Sequence, residues 1–168
     1  MSHAMAGSRS AGGAIERFAE LWRRFSAAAA AIPASLPLLG LRLAVAIPFW
    51  KSGMLKWDGF LRLSDTAVLL FREEFRLHIF GAAYAYPAPA LFAFGAGIAE
   101  VLFSTLLVLG LATRAAALSL LVMTGIIQLT VPDGWQTYHL PWAAMLLAIL
   151  AYGPGRISAD CLLRRLAG

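Results

Sequence analysis

Charged residues inside otherwise apolar stretches are the part of this chain that could do chemistry. Glu100 stands alone near the middle of residues 89–111, PALFAFGAGIAEVLFSTLLVLGL. A helix of that length, rising about 1.5 Å per residue, spans the roughly 30 Å hydrocarbon core of a bilayer. An ionised carboxylate at that depth costs about 3 kcal/mol or more. Glu100 therefore requires a cation, a proton or a polar cavity beside it.

The candidate cations lie upstream, in the apolar stretch of residues 36–57. Placed by depth, Arg42 and Lys51 lie on either side of the level of Glu100, each roughly 6–7 Å away along the helix. We predict an Arg42–Glu100 or a Lys51–Glu100 ion pair, and the sequence leaves both partners open because Pro48 can bend the helix. Such a pair could fix helix register only, or it could form a charged pocket for a ligand, a proton or a redox partner.

A second polar set is predicted at the outer face of the same helices. Its members are Lys51, Lys56, Asp58, Gln128, Trp135, Tyr138 and His139. Gln128 could hydrogen-bond between helices. His139 stands at the mouth of the last apolar stretch, where it could titrate, bind a ligand, or only cap the helix and anchor it at the interface.

Motifs for known catalytic or cofactor chemistry are missing from the sequence. The three histidines, His3, His78 and His139, are scattered, and Cys161 is the single cysteine. A haem attachment motif, a glycine-rich nucleotide fingerprint and a Ser/His/Asp arrangement are all lacking. We therefore predict no metal site and leave catalytic residues unassigned.

The elements that must position these residues are membrane spans. Hydrophobic residues make up 60% of the chain and charged residues 14%, against roughly 45–50% and 25% in soluble proteins. The apolar stretches predict four spans, at residues 36–57, 89–111, 115–131 and 139–152. We predict an all-α integral membrane four-helix bundle, formed as one domain by residues 36–157. The net charge of +5 comes from basic residues at the edges of apolar stretches, which favours membrane topology over nucleic-acid binding.

The segment before the first span is predicted to have two parts. Residues 1–13 are small and polar and are expected to be disordered. Residues 14–35 contain an amphipathic helix and a linker, with apolar residues at three- and four-residue spacing. These are Ile15, Phe18, Trp22 and Phe25. The helix is predicted to lie on the membrane surface; a solvated helix docked on the domain is the alternative.

The first outer loop also contains a predicted helix. Residues 65–80, DTAVLLFREEFRLHIF, combine an apolar face with charges and are too polar to span a membrane. We predict an interfacial or re-entrant helix there, with Ser64 or Asp65 as its N-cap.

Charge asymmetry between the loops predicts the orientation. Arginines concentrate in the amino-terminal segment, the turn at Arg114 and the chain after Tyr152, which includes the tail of residues 158–168. Under the positive-inside rule both termini are cytoplasmic, as an even number of spans requires. The expected location is a bacterial inner membrane, with residues 58–88 facing the periplasm.

The order of these features resembles the DoxX family of small four-helix membrane proteins. The resemblance covers about residues 38–163. It rests on Arg42, the run Lys51-Ser52-Gly53-Met54-Leu55-Lys56-Trp57, Glu100, the turn at 109–114, His139, and the run at 153–160. Residues 49–60 and the stretch SDTAVLLFREEF further resemble a DoxX subgroup associated with copper-responsive peptide-metallophore gene cassettes.

The resemblance implies an inner-membrane protein linked to redox chemistry. The expected function is a membrane subunit or accessory factor of a quinone- or thiol/oxidative-stress-linked system, more an accessory subunit than a stand-alone enzyme. A small transporter or accessory factor for copper homeostasis and a non-catalytic scaffold that recruits partners remain alternatives. The expected partners are the lipid bilayer and a protein of a membrane redox or stress complex, with a homo-oligomer left open and no nucleic acid.

Overall fold

The computed structural model describes the backbone of residues 4–168 and the side chains of residues 15–168. Residues 1–13 are predicted to be disordered. Of these, residues 1–3, which include His3, lie outside the described residues. The chain divides after Ala34 into two units, which are described separately.

The first unit is the helix α1, Ala4–Ala30. It begins earlier than the amphipathic pattern predicts and ends shortly before Pro33, because the residue before a proline disfavours helical geometry. Its apolar residues Ile15, Phe18 and Trp22 are each at least 60% exposed. An amphipathic amino-terminal helix is therefore confirmed, and its place on a membrane surface stays a prediction.

The second unit contains the remaining helices and four short strands. In chain order these are α2 (Ser35–Met54), β1 (Trp57–Gly59), β2 (Arg62–Leu63), α3 (Asp65–Leu69), β3 (Arg76–Ile79), β4 (Ala82–Ala85), α4 (Pro89–Leu109), α5 (Thr113–Thr130), α6 (Leu140–Tyr152) and α7 (Ala159–Leu166). A π-helical turn, Leu70–Glu74, continues α3, and a 3₁₀ turn, Pro132–Gly134, and a π-helical turn, Trp135–His139, precede α6.

The four long helices of this unit form a bundle. Helix α2 packs against α4 and α6, and α5 packs against the same two helices. The buried core consists of Val45, Ala46, Phe49, Leu107, Ala116, Ala117, Leu120, Leu146 and Ile149. Strands β1–β4 mark one end of the bundle, called the hairpin end, and α7 marks the other, called the α7 end. The predicted four-helix bundle is confirmed.

The outer surface of the bundle is apolar as well. Exposed large residues include Leu43, Leu102, Val108, Leu118, Val122, Ile126 and Leu147. A soluble helix would carry polar residues on that face, whereas a membrane helix is apolar all round. Helices α4 and α5 are long and apolar enough to cross a membrane, and a third span results if Ile15–Ala30 is counted together with α2. The predicted spans formed by α2 alone and by the 13-residue α6 stay predictions.

Helix boundaries follow local sequence signals. Pro89 occupies the first turn of α4, where its missing N–H is not needed. Gly110 ends α4 with a φ of 68°, a left-handed conformation that glycine adopts without strain. The four helices begin and end within a few residues of the predicted spans, except that Trp57, predicted to end the first span, begins β1.

The predicted loop helix over residues 65–80 is correct only in its first half. Ser64 caps α3, with its Oγ accepting the Ala67 N–H at 3.1 Å. Residues 76–79 instead form β3 and pair with β4, with His78 opposite Ala83. Phe80 and Gly81 both have positive φ, 50° and 81°, as a two-residue hairpin turn of type I′ requires. The turn chemistry thus overrides the helical periodicity that the prediction used.

Candidate functional site

Glu100 is buried and forms an ion pair with Lys56. Glu100 is 4% exposed, and Lys56 Nζ lies 2.6 Å from Glu100 Oε2. Lys56 Nζ also donates to the carbonyl and the hydroxyl of Ser52, at 3.3 and 3.1 Å. Because one partner alone would be a buried unpaired charge, removing either costs about 3–5 kcal/mol in typical cases.

Two glycines allow Lys56 to come this close to α4. A Cβ built on Gly53 would lie 2.8 Å from Val101 Cγ2, so α2 can approach α4 at this level only with glycine there. A Cβ on Gly97 would lie 2.7 Å from the Trp57 ring, so the indole rests directly on the α4 backbone. The carboxyl end of α2 and the chain after it are therefore held against the turn of α4 that carries Glu100.

The predicted partners of Glu100 are wrong. Lys51 is exposed on α2. Arg42 is 1% exposed and donates from Nη2 to the Ile157 carbonyl at 2.5 Å, at the α7 end. Depth counting placed the middle of the first span beside Glu100, whereas the close approach at Gly53 places the end of α2 there. Lys56, which the prediction assigned to the outer polar set, is the partner.

A cavity of about 580 Å³ opens beside this ion pair. Its lining is mostly apolar and comes from α2, the loop before α4, α4, α5 and α6. The lining residues are Pro48, Phe49, Ser52, Lys56, Phe71, Phe75, Tyr86, Leu91, Phe92, Gly95, Ala96, Glu100, Met123, Ile126, Ile127, Thr130, Val131 and Trp142. Trp50, Trp57 and Phe103 are not among them.

A second polar point on the cavity wall is formed by Tyr86 and Thr130. Their hydroxyl oxygens lie 2.7 Å apart. Thr130 donates its own hydrogen to the Ile126 carbonyl at 2.8 Å, so Tyr86 is the donor in the pair. The Tyr86 oxygen still has a free lone pair, and the Tyr86 hydroxyl can rotate so that its hydrogen points to a ligand in the cavity. Sequence reasoning missed Tyr86 as a cavity residue, because it could not show that the loop folds back over α4.

The mouth of the cavity lies between α4 and α5. Leu91 on α4 is 69% exposed and Ile126 on α5 is 47% exposed, and both line the cavity. An apolar mouth on the lateral surface of a membrane bundle is open to lipid-soluble molecules.

Gln128 and His139 form a separate pair next to the cavity. His139 is 3% exposed, and its Nδ1 lies 2.6 Å from Gln128 Oε1. The Gln128 amide donates to the Pro132 carbonyl at 3.2 Å, so its oxygen faces the histidine, which then carries the proton on Nδ1. The His139 ring packs on Trp142, with ring centres 5.7 Å apart. His139 thus contacts Trp142, which lines the cavity, but does not line the cavity itself.

Metal-ligating side chains do not gather in the described part of the chain. Among the side chains of residues 15–168, no three of the types His, Cys, Asp and Glu come together in an arrangement that could hold a metal ion.

Comparison with known proteins places this site in a family. The family model described as DoxX matches residues 37–133. The chain belongs to the DoxX family. The match includes Lys56, Glu100 and every cavity residue except Trp142. With its apolar helices, this DoxX protein is a membrane protein.

One curated relative is an uncharacterized protein of Haemophilus influenzae. It is 29% identical over 145 residues, which cover 80% of this chain and 87% of the relative. No solved structure matches the chain.

Proposed function

We propose that this DoxX protein binds a lipid-soluble quinone in the cavity beside Lys56 and Glu100, as a membrane subunit or accessory factor of a redox system. The observation that supports the proposal is an apolar cavity of about 580 Å³ with a buried ion pair in its wall. This volume lies within the range of roughly 300–1,000 Å³ typical of small-molecule sites. We place the protein in a bacterial inner membrane.

The chemistry of the lining suits a quinone head group. A quinone is flat, uncharged and apolar except for carbonyl oxygens that accept hydrogen bonds. A donor is available at the Tyr86 hydroxyl, and Lys56, whose three N–H groups are engaged by Ser52 and Glu100, places a positive charge in the same wall. Phe49, Phe71 and Trp142 supply aromatic surface between them. The exposed apolar mouth at Leu91 and Ile126 gives an isoprenoid tail a way out into the bilayer.

The ion pair gives the site a group that can hold protons. Reduction of a quinone to a quinol takes up two electrons and two protons. In this proposal the electrons come from a partner protein, and the chain binds and orients the head group. Glu100 lies at the cavity wall and can hold a proton next to the bound ligand, while Lys56 balances its charge when it is ionised.

The first test compares two neighbouring tyrosines. Tyr86→Phe removes the cavity hydroxyl, whereas Tyr84→Phe removes the hydroxyl of a residue that is 55% exposed and does not line the cavity. Because one hydrogen bond contributes about 0.5–1.5 kcal/mol, we expect the quinone affinity of Tyr86→Phe to fall by roughly 2- to 12-fold. Tyr84→Phe is expected to bind like the original protein. The measurement is quenching of tryptophan fluorescence on addition of a soluble ubiquinone analogue to protein in detergent.

The variant Glu100→Gln tests whether Glu100 takes part in ligand binding or only stabilises the fold. The glutamine keeps the size of the side chain and can still accept a hydrogen bond from Lys56. If Glu100 serves the cavity, the variant still unfolds in a cooperative transition, at a lower temperature because Lys56 loses its counter-charge, and its quinone affinity falls. A folded Glu100→Gln protein that binds the quinone unchanged contradicts a ligand role. Absence of saturable binding to the original protein contradicts the proposal as a whole.

A further inference from the structure

Helix α7 has two sharply different faces. At about 100° per residue, Leu162, Leu163 and Leu166 fall within one sector of roughly 100°, and all three are more than half exposed, at 58%, 53% and 76%. Asp160, Arg164 and Arg165 project from the other side of the helix. Three exposed leucines on one short helix require a covering that the rest of the described chain does not provide.

Strong hydrogen bonds fix the start of α7 to the bundle. The two carboxylate oxygens of Asp160 accept the backbone N–H groups of Ala112 and Thr113 at 2.8 and 2.9 Å, and the Thr113 hydroxyl donates to the same carboxylate at 2.8 Å. The Asp160 N–H donates to the Gly110 carbonyl at 2.9 Å. These residues form the turn between α4 and α5, the two helices long and apolar enough to span the membrane. Helix α7 therefore begins at the level where the spans leave the hydrocarbon core.

The charges around α7 are basic. Exposed arginines stand in the helix and in the turns next to it: Arg114, Arg156, Arg164 and Arg165. The carboxylate of Asp160 is occupied by the N–H groups of the α4–α5 turn. Arginine side chains at this level can reach lipid phosphates.

We propose that α7 lies in the interface of an anionic bilayer, with its leucines among the upper acyl chains and Arg164 and Arg165 on lipid phosphates. A leucine face with arginines on the other side, held at the membrane boundary, has the composition of an interfacial helix. The occupant of the exposed face is the lipid surface, and this inference stands apart from the quinone proposal because α7 does not line the cavity.

Spin labels on the two faces of α7 test the inference in the full chain. In a Cys161→Ser background, a nitroxide is attached to Leu163→Cys on the apolar face or to Arg165→Cys on the polar face. The protein is reconstituted into phosphatidylcholine vesicles with or without phosphatidylglycerol. Collision rates are measured with oxygen, which concentrates in the acyl region, and with a water-soluble nickel chelate. Thermal unfolding of both variants confirms that the bundle is folded.

In vesicles with phosphatidylglycerol, we expect the label at 163 to favour oxygen over nickel several-fold more than the label at 165. Without the anionic lipid, the nickel accessibility at 163 is expected to rise, because the zwitterionic surface lacks the net negative charge that attracts the arginines. Equal nickel accessibility at both positions overturns the inference. A label at 163 that is immobile and shielded from both reagents also overturns it, since a second copy or another protein then covers the leucines.

Discussion

At the scale of single residues, the buried charged side chains Glu100 and Arg42 each have at least one polar partner, although Nε and Nη1 of Arg42 have none among the described residues. Glu100 pairs with Lys56, and Arg42 donates to the Ile157 carbonyl. Asp160 accepts three hydrogen bonds from Ala112 and Thr113. This last residue was not singled out by the sequence analysis, because an aspartate in a polar tail gives no signal until the tail is seen to fold back.

The contacts of Asp160 predict a pH dependence of stability. Burial by itself would raise its pKa, but the hydrogen bonds from Thr113 and Ala112 and the charge of Arg164 outweigh burial and hold the pKa below its usual range. A carboxyl group with a lowered pKa in the folded state stabilises that state at pH values above its unfolded pKa of about 3.9. The stabilisation is lost as the pH falls through the lower pKa of the folded state.

We therefore expect the thermal unfolding temperature in detergent to fall between about pH 5 and pH 2, in part through Asp160. Asp160→Asn should unfold at a lower temperature at pH 6 and should show a weaker dependence on pH in the acid range. The matched control is Asp133→Asn, which changes an exposed aspartate at the hairpin end. If Asp160→Asn retains the full acid dependence of the original protein, Asp160 does not stabilise the fold through its carboxylate.

At the scale of elements, close contact between α2 and α4 decides which cation meets Glu100. Gly53 and Gly97 remove the side chains that would hold the helix and the Trp57 indole away from α4. Small residues at helix contacts are a general means of bringing membrane helices together. Here they also position the ammonium group of Lys56, which lies beyond the end of α2.

Alanine substitution of two glycines tests this contact. In Gly53→Ala the new Cβ would lie 2.8 Å from Val101 Cγ2 and 3.1 Å from the Val101 nitrogen, so we expect a loss of about 1–3 kcal/mol in unfolding free energy. Gly125→Ala in α5 places its Cβ in open space. Because alanine favours helix over glycine by up to about 1 kcal/mol, this control should be neutral or stabilising. The measurement is chemical unfolding in detergent micelles, and equal effects of the two substitutions would count against a close α2–α4 contact at Gly53.

At the scale of the whole molecule, the bundle turns apolar side chains both inward and outward. The inward residues form the core, and exposed residues such as Leu118 and Val122 face the surroundings. Inside the bundle, the buried polar residues include Ser104 and Thr124, whose hydroxyls donate to carbonyls of their own helices, and the Lys56–Glu100 pair. The hairpins at one end carry Phe60 and Phe80 at their tips, 96% and 105% exposed.

The predicted orientation can be tested with cysteines at opposite ends of the second unit. In a Cys161→Ser background, Phe60→Cys marks the hairpin end and Gly168→Cys marks the carboxyl terminus. If the positive-inside rule holds, a membrane-impermeant maleimide labels residue 60 in intact bacterial spheroplasts and labels residue 168 only after the membrane is permeabilised. The reverse pattern would contradict the predicted orientation. Labelling of both positions in intact spheroplasts would contradict an odd number of membrane crossings between them.

Three conclusions needed no more than the amino-acid sequence: that this chain is an all-α membrane protein, where its long helices lie, and that Glu100 needs a partner. These follow from the length and apolarity of the stretches and from local signals at Pro89, Gly110 and Ser64, all of which act within one helix or turn. The resemblance to the DoxX family could also be recognised from the sequence.

Four features became known from the folded chain alone: the partner of Glu100, the β3–β4 hairpin, the cavity with Tyr86 in its wall, and the attachment of α7 through Asp160. Each of these depends on contacts between residues far apart in the chain, such as Lys56 with Glu100 and Asp160 with Thr113. Such contacts are set by how closely two helices approach and by where a loop folds back. Hydrophobic periodicity and depth along a helix axis carry no information about either.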